Sequence, residues 1–139
     1  MIVLDTNVLS EMMRPAPDAT ITNWVATQSA ANLFVTTITQ AEILHGVLLL
    51  PQGRRRDAIE VAADAMFEED FAGRILPFSS LAARAYAEIA VARRQSGRPI
   101  SQFDAQIAAI ARSAGAAVAT RNVPDFEGCG IRAIDPWRS

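Results

Sequence analysis

Met1-Ile2-Val3-Leu4-Asp5-Thr6-Asn7 decides the reading of this chain. The run from Met1 to Leu4 is short, apolar and partly β-branched, which predicts a strand buried on both faces, as in a parallel sheet. An acid directly after such a strand is costly in a core and useful in a crevice. In open α/β sheets ligands bind beyond the carboxyl ends of the strands, so Asp5 is expected to mark the working face.

Outward from that strand, helical and strand signals alternate. Asn7 to Met13 predicts a short helix ended by Pro15 and Pro17, and Asp18 is a cap for a second helix carrying Trp24. Leu33 to Thr36 reads as the next strand. Thr39-Gln40-Ala41-Glu42 fits a capping box ahead of the apolar helix Ile43 to Leu50. Residues 54–72 predict a longer helix with Ile59, Ala62, Ala63, Met66 and Phe67 on a core-facing stripe, and Arg74 to Phe78 a strand. Ser80 is expected to cap a helix running to Ser96, with Leu81, Ala85 and Ile89 in line and Gly97 as its stop. Asp104 opens a helix over Ala105 to Ala114, closed by Gly115; Ala116 to Ala119 and Ile131 to Ile134 read as the last strands, the final one at an edge. The alternation predicts an α/β fold: a central, mostly parallel sheet of four to five strands flanked by helices, in one domain over residues 1–139.

Composition narrows the function. At 139 residues and 15.0 kDa, with 50% hydrophobic residues, the chain is the size of one domain with a sizeable core. Charge interrupts every apolar stretch well before the ~20 residues needed to cross a bilayer, and the strand-like start lacks a basic leader, so a cytoplasmic protein with no membrane partner is expected. The single cysteine, Cys129, excludes an intramolecular disulfide and a multi-cysteine metal site, and is expected to be a small apolar filler. A net charge of −2 is not the footprint of bulk electrostatic binding to nucleic acid, so a polyanion must be met by local patches. All 13 basic residues are arginines, which excludes Schiff-base chemistry on lysine; arginine is also the better planar ligand for phosphate. The tightest cluster is Arg54-Arg55-Arg56, and Arg93, Arg94 and Arg98 form a second group.

Four acids sit at or just past the ends of apolar segments: Asp5, Glu42, Asp104 and Asp125. Asp5 and Asp125 follow strands, while Glu42 and Asp104 are expected in the first turns of helices that start at the same sheet edge. Singly, Asp104 reads as an N-cap, Glu42 as the capping-box partner of Thr39, and Asp125 as a turn residue after Pro124. Together, the topology brings all four toward one crevice. Two carboxylates about 5 Å apart repel by roughly 3 kcal/mol at an effective dielectric near 20, so the cluster must take up protons or a divalent cation. Mg²⁺ or Mn²⁺ suits an all-oxygen site, whereas zinc wants more nitrogen or sulfur than the chain supplies. A hydrated cation in an acidic crevice points to phosphodiester hydrolysis by a metal-activated water, with no protein nucleophile. The one histidine, His45, excludes two-histidine mechanisms; it lies three residues after Glu42, half of a paired Glu-x-x-His arrangement, and is expected to be structural or at the rim.

These residues carry a resemblance. Ile2 to Asn7, Thr39 to Gly46, Leu50 to Arg56, Arg74 to Phe78, Gly97 to Ile100, Asp104 to Ala111, and Ala119 to Asn122 followed by Asp125-Phe126 occur in the order found in PIN-domain ribonucleases. The chain resembles, within them, the VapC-type toxins of bacterial toxin–antitoxin pairs, especially the FitB-like branch. The resemblance implies a PIN fold and a Mg²⁺-dependent endoribonuclease; attack of a metal-activated water on the phosphodiester is expected to leave a 3′-hydroxyl and a 5′-phosphate. It implies Asp5 and Asp104 as the main metal ligands, with Glu42 and Asp125 completing the quartet. Thr6, Asn7, Thr120 and Asn122 would orient carboxylates or water. Arg54, Arg55, Arg56, Arg98 and Arg121 are candidates for positioning the RNA backbone. The implied partner is a cognate antitoxin, resembling a ribbon-helix-helix DNA-binding protein, in a homodimer or a toxin–antitoxin hetero-oligomer. A second reading makes the chain mainly an interaction module that assembles a DNA-binding repressor with its antitoxin. A phosphatase with Asp5 as nucleophile is disfavoured, because Asn7 stands where a second aspartate is needed. Trp24, Tyr86 and Trp137 can stack on bases, and are expected in the core or an interface instead.

Overall fold

Three apolar residues, Ile2 to Leu4, form the central strand β1 of the computed structural model, which describes residues 1–138. Strands β2 (Leu33–Thr36), β3 (Ile75–Leu76), β4 (Ala117–Ala119) and β5 (Ala133–Ile134) complete a five-stranded sheet in the order β3-β2-β1-β4-β5. Every pairing is parallel, including the edge strand. Six α-helices cover it: α1 (Thr6–Met12), α2 (Ala19–Thr27), α3 (Thr37–Leu48), α4 (Arg54–Ala65), α5 (Ser80–Gln95) and α6 (Gln102–Ala114). The α/β fold expected from the alternation is the fold observed. No helix among the described residues is long and apolar enough to cross a membrane.

Strand alternation sorts the side chains into two cores. Ile2, Leu4, Leu33, Val35 and Ala119 face one side with Val8, Leu9, Trp24, Ile43, Val47, Ala63 and Phe67. Val3 and Val118 face the other, with Ala82, Ala85, Ile89, Ile107, Phe126 and Cys129. Residues i and i+2 share a face, so the continuous apolar runs of β1 and β4 supply both layers at once. Cys129 is fully buried, in the filler role expected of it, and Trp24 is core.

Several boundaries differ from the sequence reading, each for a local reason. Helix α3 starts earlier than a box at Thr39 implies, because Thr36 is the cap, its hydroxyl accepting from the Thr39 N–H at 3.1 Å. Glu42 therefore lies in the second turn. Ser79, not Ser80, caps α5, and Ser101, not Asp104, caps α6; each hydroxyl accepts from the N–H three residues on, at 3.2 Å. Leu81 is 74% exposed, and the buried stripe of α5 runs through Ala82, Ala85, Ile89 and Arg93. Ala62 is also exposed, off the stripe of Ala63 and Phe67. The helix expected over 54–72 ends at Ala65 and passes into a π-turn over Met66–Asp70 that swings Phe71 into the core.

The chain steps from β1 outward through β2 to β3, then returns to the far side of β1 to form β4 and β5. Strand order reverses between β1 and β4, and a crevice at the carboxyl ends of those two strands is the expected ligand site of such a sheet.

Candidate active site

Asp5 sits at that reversal. Its backbone N–H donates to the Ala119 carbonyl at 2.9 Å, extending the β1–β4 ladder by one step before α1 begins. The side chain caps α1, Oδ1 accepting from the Thr6 N–H at 2.8 Å. Oδ2 accepts from the Thr120 hydroxyl at 2.7 Å and from the Asn7 amide at 3.3 Å. Only 5% exposed, this carboxyl has its pKa pushed up to about 6 by burial, against the lowering effect of the Thr120 and Thr6 hydrogen bonds. The charges of Asp104 and Glu42 push it further in the same direction.

The neighbouring groups bind one another as well as Asp5. Thr6 Oγ1 donates to Glu42 Oε1 at 2.9 Å, and its contact with Thr39 Oγ1 at 3.0 Å is then donated by Thr39, since a hydroxyl carries one proton. Asn7 Oδ1 accepts from the Arg121 N–H at 3.3 Å. Thr120 Oγ1 accepts from the Asn122 backbone N–H at 3.0 Å, so Asn122 contributes its main chain while its side chain is exposed. The capping-box pattern offers Thr39 only as a helix cap; in the fold its hydroxyl meets Thr6 instead, and its N–H is the one that donates to the cap, Thr36.

Asp104 and Asp125 are held differently. Asp104, half-buried in the first turn of α6, has its pKa raised by burial; Ser101 counters this, the Asp125 charge adds to it, and Arg93 opposes it. Asp125 is exposed on the 3-10 turn Val123–Phe126, and its carboxylate has no hydrogen-bond partner among the described residues. That turn is fixed through its main chain. Buried Arg93 donates to the carbonyls of Asp125 and Glu127 at 2.8 Å each and to that of Arg98 at 2.6 Å. The sequence groups Arg93 with Arg94 and Arg98 as a cationic patch; its place four residues after Ile89, on the Ala85–Ile89 stripe, is the signal that it points inward.

The remaining candidates are dispersed. Arg54 and Arg55 are exposed and Arg56 is half-buried at the start of α4. Arg55 lines a cleft with Met13 and Ser10, and those two residues also line the adjoining cleft that contains Thr6 and Glu42. Arg98 pairs with Glu127 at 2.8 Å, and Arg121 lies over the Trp137 ring at 5.0 Å. His45 is exposed in the last turn of α3.

The four acids are linked pairwise by charge, Asp5 to Asp104 and Glu42, and Asp104 to Asp125. Among the described residues, no group of three or more His, Cys, Asp or Glu side chains is arranged to hold one ion jointly. That does not suit a closed zinc site, which needs four protein ligands. It does suit Mg²⁺, which takes one or two carboxylates and keeps several waters, beside a buried acid whose charge lacks a counterion.

Residues 2–124 match the PIN domain, from the start of β1 to the residue before Asp125. The chain belongs to the PIN domain family. Plasmid stability protein StbB of Pseudomonas syringae pv. tomato is 40% identical over 139 residues, covering 100% of both chains. VapC ribonuclease Y4jK of Sinorhizobium fredii is 39% identical over 137 residues, covering 99% of this chain and 98% of its own. Among solved structures, FitAB bound to IR36 DNA fragment superposes with a TM-score of 0.93 at 35% identity, covering 99% of this chain and 96% of that one.

Proposed function

We propose that the whole chain acts as one PIN domain, a toxin of a toxin–antitoxin pair that hydrolyses RNA phosphodiester bonds with Mg²⁺, or Mn²⁺ in its place. The observation that carries this reading is Asp5: a buried carboxyl raised to about 6, next to the charges of Asp104 and Glu42, at the switch point of a parallel sheet. Similarity to a VapC ribonuclease supports the reaction class.

In this proposal Asp5 and Asp104 hold the ion, and Glu42 and Asp125 complete the acidic quartet. When bound, the ion supplies a lowered pKa for a coordinated water and positive charge for the phosphate. The protein's part is positional. Thr120, Asn7 and the Thr6 N–H fix both oxygens of Asp5, and the Thr6 hydroxyl fixes Glu42, so the carboxylates need little rearrangement to act. The products are a 3′-hydroxyl and a 5′-phosphate.

The partner in this proposal is an antitoxin of ribbon-helix-helix type, in a hetero-oligomer that can include a toxin homodimer. A second reading, in which the chain chiefly assembles a DNA-binding repressor, is favoured by the similarity to FitAB bound to a DNA fragment. The net charge of −2 suits a basic peptide as partner. Purified chain without antitoxin separates the two. Cutting of RNA that depends on added Mg²⁺ and is lost in Asp5→Asn supports the nuclease; full activity in chelator or in Asp5→Asn removes it, and inactivity with tight antitoxin binding supports the module.

A further inference from the structure

The carboxylate crevice repels the polyanion it is proposed to cut, so some cation at its lip must hold the RNA backbone. Arginines near the crevice differ in how free they are. Arg93 is buried and its donors serve three carbonyls. Arg98 is paired with Glu127 at 2.8 Å and also donates to the Pro124 carbonyl at 3.3 Å. Arg121 is exposed and has no carboxylate partner among the described residues.

Arg121 is also the best placed. It follows Thr120, whose hydroxyl donates to Asp5, and its own N–H is held by Asn7. Its guanidinium lies over the Trp137 ring at 5.0 Å; Trp137 packs against the core cluster that includes Ile2, Leu4 and Trp24, and its backbone N–H donates to Asp135 Oδ1 at 2.9 Å. A cation on an aromatic face keeps its in-plane N–H donors open, and those donors match two phosphate oxygens.

We infer that Arg121 grips an RNA phosphate next to the scissile one and that Trp137 acts as a positioning residue, holding the guanidinium in place through its ring. This rests on the nuclease reading above. Trp137 then works on the arginine and not on a base. Prior alignment of the side chain lowers the cost of ordering it when RNA binds.

The test is binding of a short single-stranded RNA to full-length chains in an Asp5→Asn background, with cleavage kinetics in the otherwise native background. Arg121→Gln should raise Kd about tenfold and reduce the magnitude of the log Kd against log salt slope by about 0.7, the value for one phosphate contact on a single strand. In cleavage it should raise KM more than it lowers kcat. Trp137→Ala should raise Kd several-fold, Trp137→Phe should restore most of the loss, and Trp137→Ala added to Arg121→Gln should change nothing further. Arg132→Gln, just before β5 at the amino ends of the strands and so opposite the crevice, should bind as the parent does. Unchanged Kd and salt slope in Arg121→Gln overturn the inference, and an equal effect of Trp137→Ala with or without Arg121 overturns the part assigned to Trp137. If Trp137→Ala fails to fold, Trp137→Phe is compared in both Arg121 backgrounds in its place. RNA bound but never cut removes the nuclease reading and leaves the grip standing; RNA cut with Arg121→Gln unaffected removes the grip alone.

Discussion

At the β1 end of the crevice Asp5 is 5% exposed and its two oxygens accept three hydrogen bonds, whereas at the β4 end Asp125 is exposed and its carboxylate accepts none from the described residues. The first is built from side chains, with Thr6, Asn7 and Thr120 converging on one carboxyl. The second is built from main chain, with Arg93 holding the carbonyls of a 3-10 turn and leaving the acid itself unrestrained. A carboxyl fixed in advance suits an ion that demands a near-ideal coordination geometry, and a loosely held one suits a substrate that arrives and leaves. The comparison predicts unequal responses at the two ends.

The largest difference is expected between Asp5→Asn and Asp125→Asn. Asp5→Asn should cost about 10²–10³-fold in RNA cleavage, in line with loss of one preorganised electrostatic group, and Asp125→Asn about tenfold. Stability should move the opposite way. Raising a carboxyl from 3.8 to about 6 costs at most about 3 kcal/mol once it is ionised, so Asp5→Asn should be more stable than the parent in chelator at pH 7. Asp125→Asn should lie within about 0.5 kcal/mol, as for other surface changes. Thermal melts with and without Mg²⁺ check this, because the ion should narrow the Asp5 gap. Equal losses of activity at both ends would erase the distinction.

Next in size is Thr120→Val, which keeps the shape and removes the donor to Asp5. Loss of such a supporting bond typically costs 10–100-fold in metal affinity or activity. Isothermal titration with Mn²⁺ reads it directly, and an unchanged affinity would mean that Asp5 does not need Thr120 to be held.

Much of this is legible in the sequence, and the limits are local. The apolar runs of β1 and β4, each followed by a polar residue, fixed both the parallel sheet and the place of Asp5, because continuous hydrophobicity admits few other solutions. Thr6, Asn7 and Thr120 are nominated by the resemblance to PIN-domain ribonucleases, and their hydrogen bonds to Asp5 and Glu42 give the role a geometry. Glu42 was placed one turn early because Thr36 and Thr39 both offer a capping hydroxyl, and only tertiary pairing of β2 decides which is used. Arg93 was missed because its spacing puts it on a buried stripe while its charge argues for solvent; three carbonyls on loops distant in sequence resolve the conflict. Leu81 failed in the reverse sense, an apolar residue beside a stripe and not on it.

Acidity should separate the two ends again. Folded Asp5 binds its proton up to about pH 6 while the unfolded chain releases it near 3.8, so metal-free stability should fall as pH rises from about 4 to 6 and then level off. Below pH 6 the ion must displace that proton, so its affinity should gain up to about tenfold per pH unit and flatten above. Asp5→Asn should abolish both trends and Asp125→Asn neither. Calorimetric melts in chelator, and Mg²⁺ dependence of cleavage between pH 5 and pH 8, check the two arms; a pH-independent metal requirement in the parent would show that Asp5 is ionised without help.

Arg93→Met gives the smallest change in activity and a larger one in stability. Removing the guanidinium strips the partners from three carbonyls, at about 1–3 kcal/mol for each that water cannot reach, while the methionine retains part of the apolar stem contacts. The turn carrying Asp125 should loosen, and cleavage should drop only about threefold at saturating RNA, because an acid that was never held by its side chain has little position to lose. Urea melts alongside single-turnover kinetics measure both quantities on one preparation. A fall in cleavage as deep as that of Asp5→Asn would mean that the exposed carboxylate depends on its turn for catalysis, and that the β4 end is as preorganised as the β1 end by a route running through the main chain.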